Sequence, residues 1–240
     1  MTRRSKATGS GRDPSRQRNS TSTTGVVHPV REDPHNRAML AAVGVTVADA
    51  PLVGGTRDLV FESEHEKDCL VVLDVSPGVE RLETQPQTWR LASGRRYTPD
   101  IRADGDAIGT VFVEVKPARI LARDPSLAGR RADIEAEALA REARFEVMSE
   151  GAYRDVRLHN AHVLRNAARW DLPAGRERVL EEMRARPAGA TLLELVLALR
   201  MGVVGKFAVL GLVALGILRI DQAELIGPDT RIRWREELDG

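Results

Sequence analysis

A carboxylate and an ammonium flank Val115 at the end of the run Val111-Phe112-Val113-Glu114-Val115-Lys116. Side chains alternate between faces along a strand. Val111, Val113 and Val115 should therefore pack on a helix, while Phe112, Glu114 and Lys116 face the other way. Buried charges persist when they are paired or bound to metal; the plainer alternative is an edge-strand salt bridge, since E-x-K is a common pattern. Asp100 ends the sequence Tyr97-Thr98-Pro99-Asp100, with thirteen residues between it and Glu114. If residues 95–101 and 110–116 are neighbouring strands around an Asp104-Gly105-Asp106 loop, Asp100 approaches Glu114. Two carboxylates that close raise a pKa unless a divalent cation sits between them. Mg²⁺ takes oxygen ligands at about 2.1 Å and keeps waters for a substrate. The alternative for Asp100 is an ordinary turn aspartate after proline.

Glu66 is a third candidate. On a helix, positions 66, 70 and 73 share a stripe, and Leu70 and Leu73 make that stripe core-facing. A metal beneath Glu66 would explain a carboxylate there. Equally, Ser63-Glu64-His65-Glu66 reads as a capping box in which Glu66 bonds the helix's first amide. Lys116 stands out because only four basic residues are lysine, the others being Lys6, Lys67 and Lys206, against thirty-two arginines. A lysine here suggests a compact ammonium whose pKa can shift, able to orient or help deprotonate a water and to stabilise charge on a phosphate. Chance placement is the alternative. His159 and His162, at i, i+3 on a helix, lack a third ligand and read as a solvated face. Trp89, Trp170 and Trp234 read as packing residues, and Cys69 as a small core residue. Gly202, Gly205, Gly211 and Gly216 form no phosphate-binding motif and suit close helix packing.

The elements that must position these groups follow from periodicity and breakers. A helix is expected over 63–74 and strands over 79–85, 88–92, 95–101 and 110–116. Beyond them a helix over 132–144 and a strand over 145–149 close the unit. Helices over 153–170, 175–186, 191–201 and 206–218 follow, with Thr191 and Glu194 in capping-box spacing. Ile220-Asp221 and residues 230–234 suit a small hairpin. Short helices followed by such a wing suggest a winged helix–turn–helix.

The chain has 240 residues with 36 basic and 35 acidic side chains, a formal +1. The distribution is uneven: residues 1–37 carry +5, residues 38–148 carry −5 and residues 149–240 carry +1. Residues 1–37 are rich in Ser, Thr, Gly, Pro and Arg and read as a disordered basic tail. That tail is either a non-specific phosphate-binding arm or a solvated leader. A single cysteine excludes a disulfide framework and a cysteine-based zinc site. The longest apolar run, 207–218, is twelve residues, short of the ~20 that cross a bilayer. Arg3, Arg4 and Lys6 lack the apolar stretch of a secretory signal. A soluble cytoplasmic protein with no membrane partner is expected.

Glu66, Asp100, Glu114 and Lys116, in that order on helix, strand and strand, resemble the PD-(D/E)xK nuclease core. More narrowly, Phe61-Glu62-Ser63-Glu64-His65-Glu66, the segment Val79 to Pro86, Arg96 to Asp100 and Val113 to Pro117 resemble the TnsA family, endonuclease subunits of heteromeric transposases. The resemblance spans residues 56–150, and more weakly the C-terminal third. It implies an α/β fold: a restriction-endonuclease-like mixed-sheet core over 38–150, followed by a helical winged-helix-like domain over 151–240. It also implies Mg²⁺-dependent hydrolysis of double-stranded DNA at transposon ends, on the non-transferred strand at the 5′ ends, with Mn²⁺ as a substitute. The implied partners are a DDE transposase subunit that cuts and joins the other strand and an AAA+ ATPase regulator. Carried over, Glu66, Asp100, Glu114 and the Val115 carbonyl would be metal ligands, and Lys116 the water-orienting group. One departure is Glu114, where the best-known member has glutamine; glutamate is the commoner choice across the superfamily. Gln85 matches a family motif and reads as structural, turning the chain between two strands. The alternatives are a stand-alone PD-(D/E)xK restriction or repair nuclease, and a catalytically inert DNA-binding adaptor. Residues 190–218 are too apolar to read bases, so the C-terminal domain is expected to contact protein.

Overall fold

A computed structural model describes residues 24–42, 59–123 and 125–235. The fold is mixed α/β. It opens with β1 (Gly25–Val27), α1 (Pro34–Ala42) and β2 (Leu59–Phe61), with β1 and β2 paired antiparallel. The expected tail is thus corrected over 25–37, and its residues 1–23 lie outside the described ones. Val27 and Val30 are buried, and the Val30 N–H donates to both Asp74 carboxylate oxygens at 3.1 Å. Arg165 pairs with the same carboxylate and donates through Nη2 to the His28 carbonyl at 2.8 Å. A composition averaged over 37 residues hid this short apolar stretch and its anchors.

Ser63 caps α2 (Glu64–Leu73), which buries Cys69, Leu70, Val71 and Val72. There follow β3 (Arg81–Thr84), β4 (Trp89–Arg90), β5 (Arg96–Tyr97), β6 (Ile101–Gly105) and β7 (Gly109–Val115). After them come α3 (Ala118–Leu121), α4 (Pro125–Leu139) and β8 (Ala143–Met148). The main sheet has the order β3-β6-β7-β8. Its first two pairings are antiparallel and β7–β8 is parallel, which makes the sheet mixed. Of the expected Asp104-Gly105-Asp106 loop, Asp104 and Gly105 are strand instead, and the turn runs over 106–108. Arg81 and Thr110, from the strands on either side, both donate to the Asp104 carboxylate. A Cβ on Gly105 would stand 1.7 Å from the Gly78 carbonyl oxygen, so the strand passes there only as glycine.

The two faces of β7 feed different cores. Val111, Val113 and Val115 join α2 and the C-terminal helices, while Phe112 packs with Trp89, Tyr97, Ile134 and Phe145 beneath the β4–β5 hairpin and α4.

The C-terminal part runs α5 (Glu150–Tyr153), α6 (Val156–Ala168), α7 (Pro173–Arg184), β9 (Ala190–Thr191), α8 (Leu192–Leu199), α9 (Gly202–Ala214), β10 (Leu218–Arg219) and β11 (Arg231–Trp234). The single helix expected over 153–170 is broken at Asp155, whose φ is +66°. The expected fourth helix begins four residues earlier, because Arg200 and Gly202 both take positive φ and restart the chain. The strands form an antiparallel sheet of order β10-β11-β9. Thr191 and Glu194 complete a capping box at the start of α8. Residues 208–214 of α9 are all buried, and they share one continuous core with α2 and the main sheet. Among the described residues, no helix is long and apolar enough to cross a membrane.

The Asp74–Arg165 pair ties the N-terminal segment, α2 and α6 together, with side chains 4% and 7% exposed. Removing one partner strands a buried charge, which costs about 3–5 kcal/mol. Arg165→Met should lower stability by that amount in urea unfolding. Adding Asp74→Leu should recover part of the loss and not all, because the Val30 N–H then lacks an acceptor.

Candidate functional site

The site is assembled by the β6–β7 register, in which Ile101 opposes Val113. One step further along, Asp100 and Glu114 meet. Asp100 Oδ2 accepts the Val115 N–H at 2.7 Å. Its carbonyl accepts the Gln85 N–H at 2.9 Å. Glu114 lies on the Phe112 face and is 3% exposed. Its Oε2 accepts the Tyr97 hydroxyl at 2.6 Å, and its Oε1 lies 3.0 Å from the Lys116 ammonium. The Lys116 backbone N–H donates to the Met148 carbonyl, which extends the β7–β8 ladder by one residue and keeps Lys116 on the Glu114 face.

Glu66 occupies the capping position. Its Oε2 accepts the Glu62 N–H at 2.9 Å and its Oε1 accepts the Ser63 hydroxyl at 2.8 Å, while Ser63 Oγ accepts the Glu66 N–H. Its charge still reaches the strand residues and helps to raise both Asp100 and Lys116. Val115 enters through the N–H that holds Asp100.

Burial, then the Glu114 carboxylate, push Asp100 up to about 7, against the lowering pull of the Val115 N–H and Lys116. This is the behaviour of two carboxylates brought together with too little positive charge between them. Burial acts to lower Lys116, yet the carboxylates of Glu114, Asp100 and Glu66 outweigh it and hold the ammonium above the ordinary lysine value. Lys116 is thus a cation at neutral pH, suited to orienting and charge stabilisation rather than to proton abstraction.

The donor set is hard oxygen, and the Asp100–Glu114 repulsion, only partly offset by Lys116 and the Val115 N–H, favours a cation. Among the described residues, no three His, Cys, Asp or Glu side chains gather closely enough to cage a metal. Mg²⁺ needs no such cage: one or two carboxylates suffice, with waters and phosphate oxygens completing the shell. The Asp100–Glu114 pair fits that demand, with Glu66 held in its cap.

Two neighbours deepen the picture. Tyr97 escaped the sequence reading as a functional group. Burial, and then Glu114, raise its hydroxyl far above the usual tyrosine value, so it remains a donor. Its ring meets Trp89 edge-on at 5.6 Å, and Arg130 lies over it at 5.7 Å. The available signal was position: an aromatic on a strand three residues before Asp100. Gln85 turns the chain after β3 with φ +46° and donates through Nε2 to Glu62 at 2.8 Å. Elsewhere, His159 and His162 are exposed on α6. Cys69 is buried, its thiol pushed up by burial and then by Asp100. Trp89 is a core residue, whereas Trp170 is 48% exposed and stacks on Phe207.

Two outcomes follow. The Asp100 carboxyl has an unfolded value near 3.8 and a folded one near 7. Its protonation stabilises the metal-free protein below about pH 4, and that contribution is lost as pH rises to 7. Asp100→Asn should raise metal-free stability at pH 8 by about 1–3 kcal/mol, discounted for residual solvent, with the gain fading toward pH 4 in thermal melts. Tyr97→Phe removes a donor from buried Glu114 and should cost about 1.5–3 kcal/mol, read in urea unfolding.

No protein-family model matches the chain, and no curated protein matches it.

Proposed function

We propose that this chain is a Mg²⁺-dependent DNA endonuclease of the PD-(D/E)xK type, serving as the end-cleaving subunit of a heteromeric transposase of the TnsA kind. The observation that carries the reading is the convergence of Asp100, Glu114 and Lys116 at the ends of neighbouring strands, with Asp100 raised by burial and then by Glu114. A mixed sheet with α2 on one face and α4 on the other supports a restriction-endonuclease-like core. The succession α7, β9, α8, α9, β10, β11 supports a winged-helix-like module. Its α9 is packed inside the core, which favours a protein-contacting role over base reading.

Asp100, Glu114 and the Val115 carbonyl would hold the cation. When bound, it supplies Lewis-acid polarisation of the phosphodiester and a more acidic water. The chain's own part is placement. Tyr97 and Lys116 fix the two oxygens of Glu114. The Val115 N–H fixes Asp100. The Lys116 ammonium can donate to an attacking water or a non-bridging phosphate oxygen, stabilising charge that grows in the transition state. Glu66 adds negative field from the helix cap.

A second reading, a catalytically inert DNA-binding adaptor, draws on the engagement of both Glu114 oxygens by Tyr97 and Lys116 and of both Glu66 oxygens by the cap. Reconstituted excision with a DDE transposase and an AAA+ ATPase separates the readings. Asp100→Ala and Lys116→Ala should each reduce 5′-strand cleavage by about 10²–10³-fold while leaving complex assembly intact. Unchanged cleavage would end the nuclease proposal. Mg²⁺-dependent nicking by the purified chain alone would point to a stand-alone nuclease, and no Mg²⁺ or Mn²⁺ uptake on titration would favour the adaptor.

A further inference from the structure

Arg31 is one of the buried charged residues of the fold. It is 6% exposed, and its Nε has no hydrogen-bond partner. Burial and then Arg235 push it down to about 10, with Glu80 pulling the other way. Glu80 is itself 3.3 Å from Arg235. The other deeply buried arginines have partners for their Nη groups, although the Arg176 Nε is also without one. Arg165 pairs with Asp74, and Arg176 donates to Asn36 Oδ1 and to the carbonyls of Ala168 and Trp170.

Arg31 lines a cavity of about 210 Å³ between the loop after α2, the β6–β7 turn and the α9–β10 junction. Arg219 and Arg235 also line it, and Val75, Ile108 and Val213 give it apolar walls. Gly216 belongs to the same wall. It has φ +73°, and a Cβ there would stand 2.7 Å from Arg31 Nη2, so the guanidinium keeps its place only because this position is glycine. The cavity sits at the Gly109 end of β7, with Glu114 and Lys116 at the other end. A strand of that length spans about 20 Å, so nothing here depends on the nuclease reading.

We propose that this cavity binds a small organic oxyanion, a carboxylate or phosphate monoester with a short apolar body, through Arg31 and Arg219. A guanidinium fork matches an oxyanion in bidentate geometry. A volume of about 210 Å³ suits a small molecule. The mostly apolar wall selects a ligand with carbon behind its charge and disfavours a bare ion.

Calorimetric titration of the full chain in Mg²⁺-free buffer tests this, with hexanoate, hexyl phosphate and inorganic phosphate as probes. Hexanoate or hexyl phosphate should bind at least tenfold more tightly than inorganic phosphate, and whichever of the two is tighter identifies the headgroup. Arg31→Met should weaken that binding at least tenfold and raise the ligand-free melting temperature. Arg219→Gln, on the half-buried rim, should weaken it severalfold without touching the core, and so carries the test if Arg31→Met does not fold. Absence of binding by all three probes at millimolar concentration, or unchanged affinity in the variants, overturns the proposal.

Discussion

The buried Glu114 carboxylate is the constraint around which the rest of the site is organised. β7 carries three valines on one face, each worth about 1.5–3 kcal/mol when buried. A register slip by one residue would turn all three to the wrong side. That sum exceeds the several kcal/mol needed to desolvate one carboxylate, so the valines set the register and Glu114 goes inside on the opposite face. Two donors then offset its burial: the Tyr97 hydroxyl at one oxygen and the Lys116 ammonium at the other. Lys116 can reach because it lies two residues along the same strand face.

Once Glu114 is fixed, the neighbouring groups inherit their properties. Asp100 immediately precedes β6, the adjacent antiparallel strand, and is pinned by the Val115 N–H, so it cannot move away from the like charge. Its carboxyl rises to about 7 and the Lys116 ammonium rises as well. Both shifts describe the same imbalance, three carboxylates and one ammonium in a half-buried corner. A proton corrects it, and the divalent cation proposed for this site would compete for the same oxygens.

What the sequence made legible was the part governed by strict periodicity. Alternation in 111–116 put valine on one side and Glu114 with Lys116 on the other, and the spacing to Asp100 worked because a hairpin joins the two strands. Ser63 was readable as the N-cap of α2, and Thr191 with Glu194 as a capping box, since both are local patterns; Glu66, expected to bond the helix's first amide, instead accepts the Glu62 N–H and the Ser63 hydroxyl. The misses are long-range. Tyr97 acquires its role from a partner seventeen residues away. The order of residues 25–37 comes from Asp74 and Arg165, far along the chain. The break at Asp155 and the early start of α9 rest on positive φ values at Asp155, Arg200 and Gly202, which periodicity does not signal.

The buried charges also explain how the two halves of the chain hold together. The apolar core is continuous from β6 and β7 through α2 into α9, but apolar contact alone does not specify orientation. Asp74 does, because it accepts the Val30 N–H and the Arg165 guanidinium at once, and these come from segments that share no local sequence. Gln222 adds a second tie by donating to the Val75 carbonyl at 2.8 Å, one residue beyond Asp74. The turn after α2 is therefore the joint between the sheet and the helical unit. The cavity around Arg31 opens beside that joint, bounded by Val75 from one side and Val213 from the other. Any ligand filling it would touch both halves and, by binding the folded state alone, would stabilise their packing.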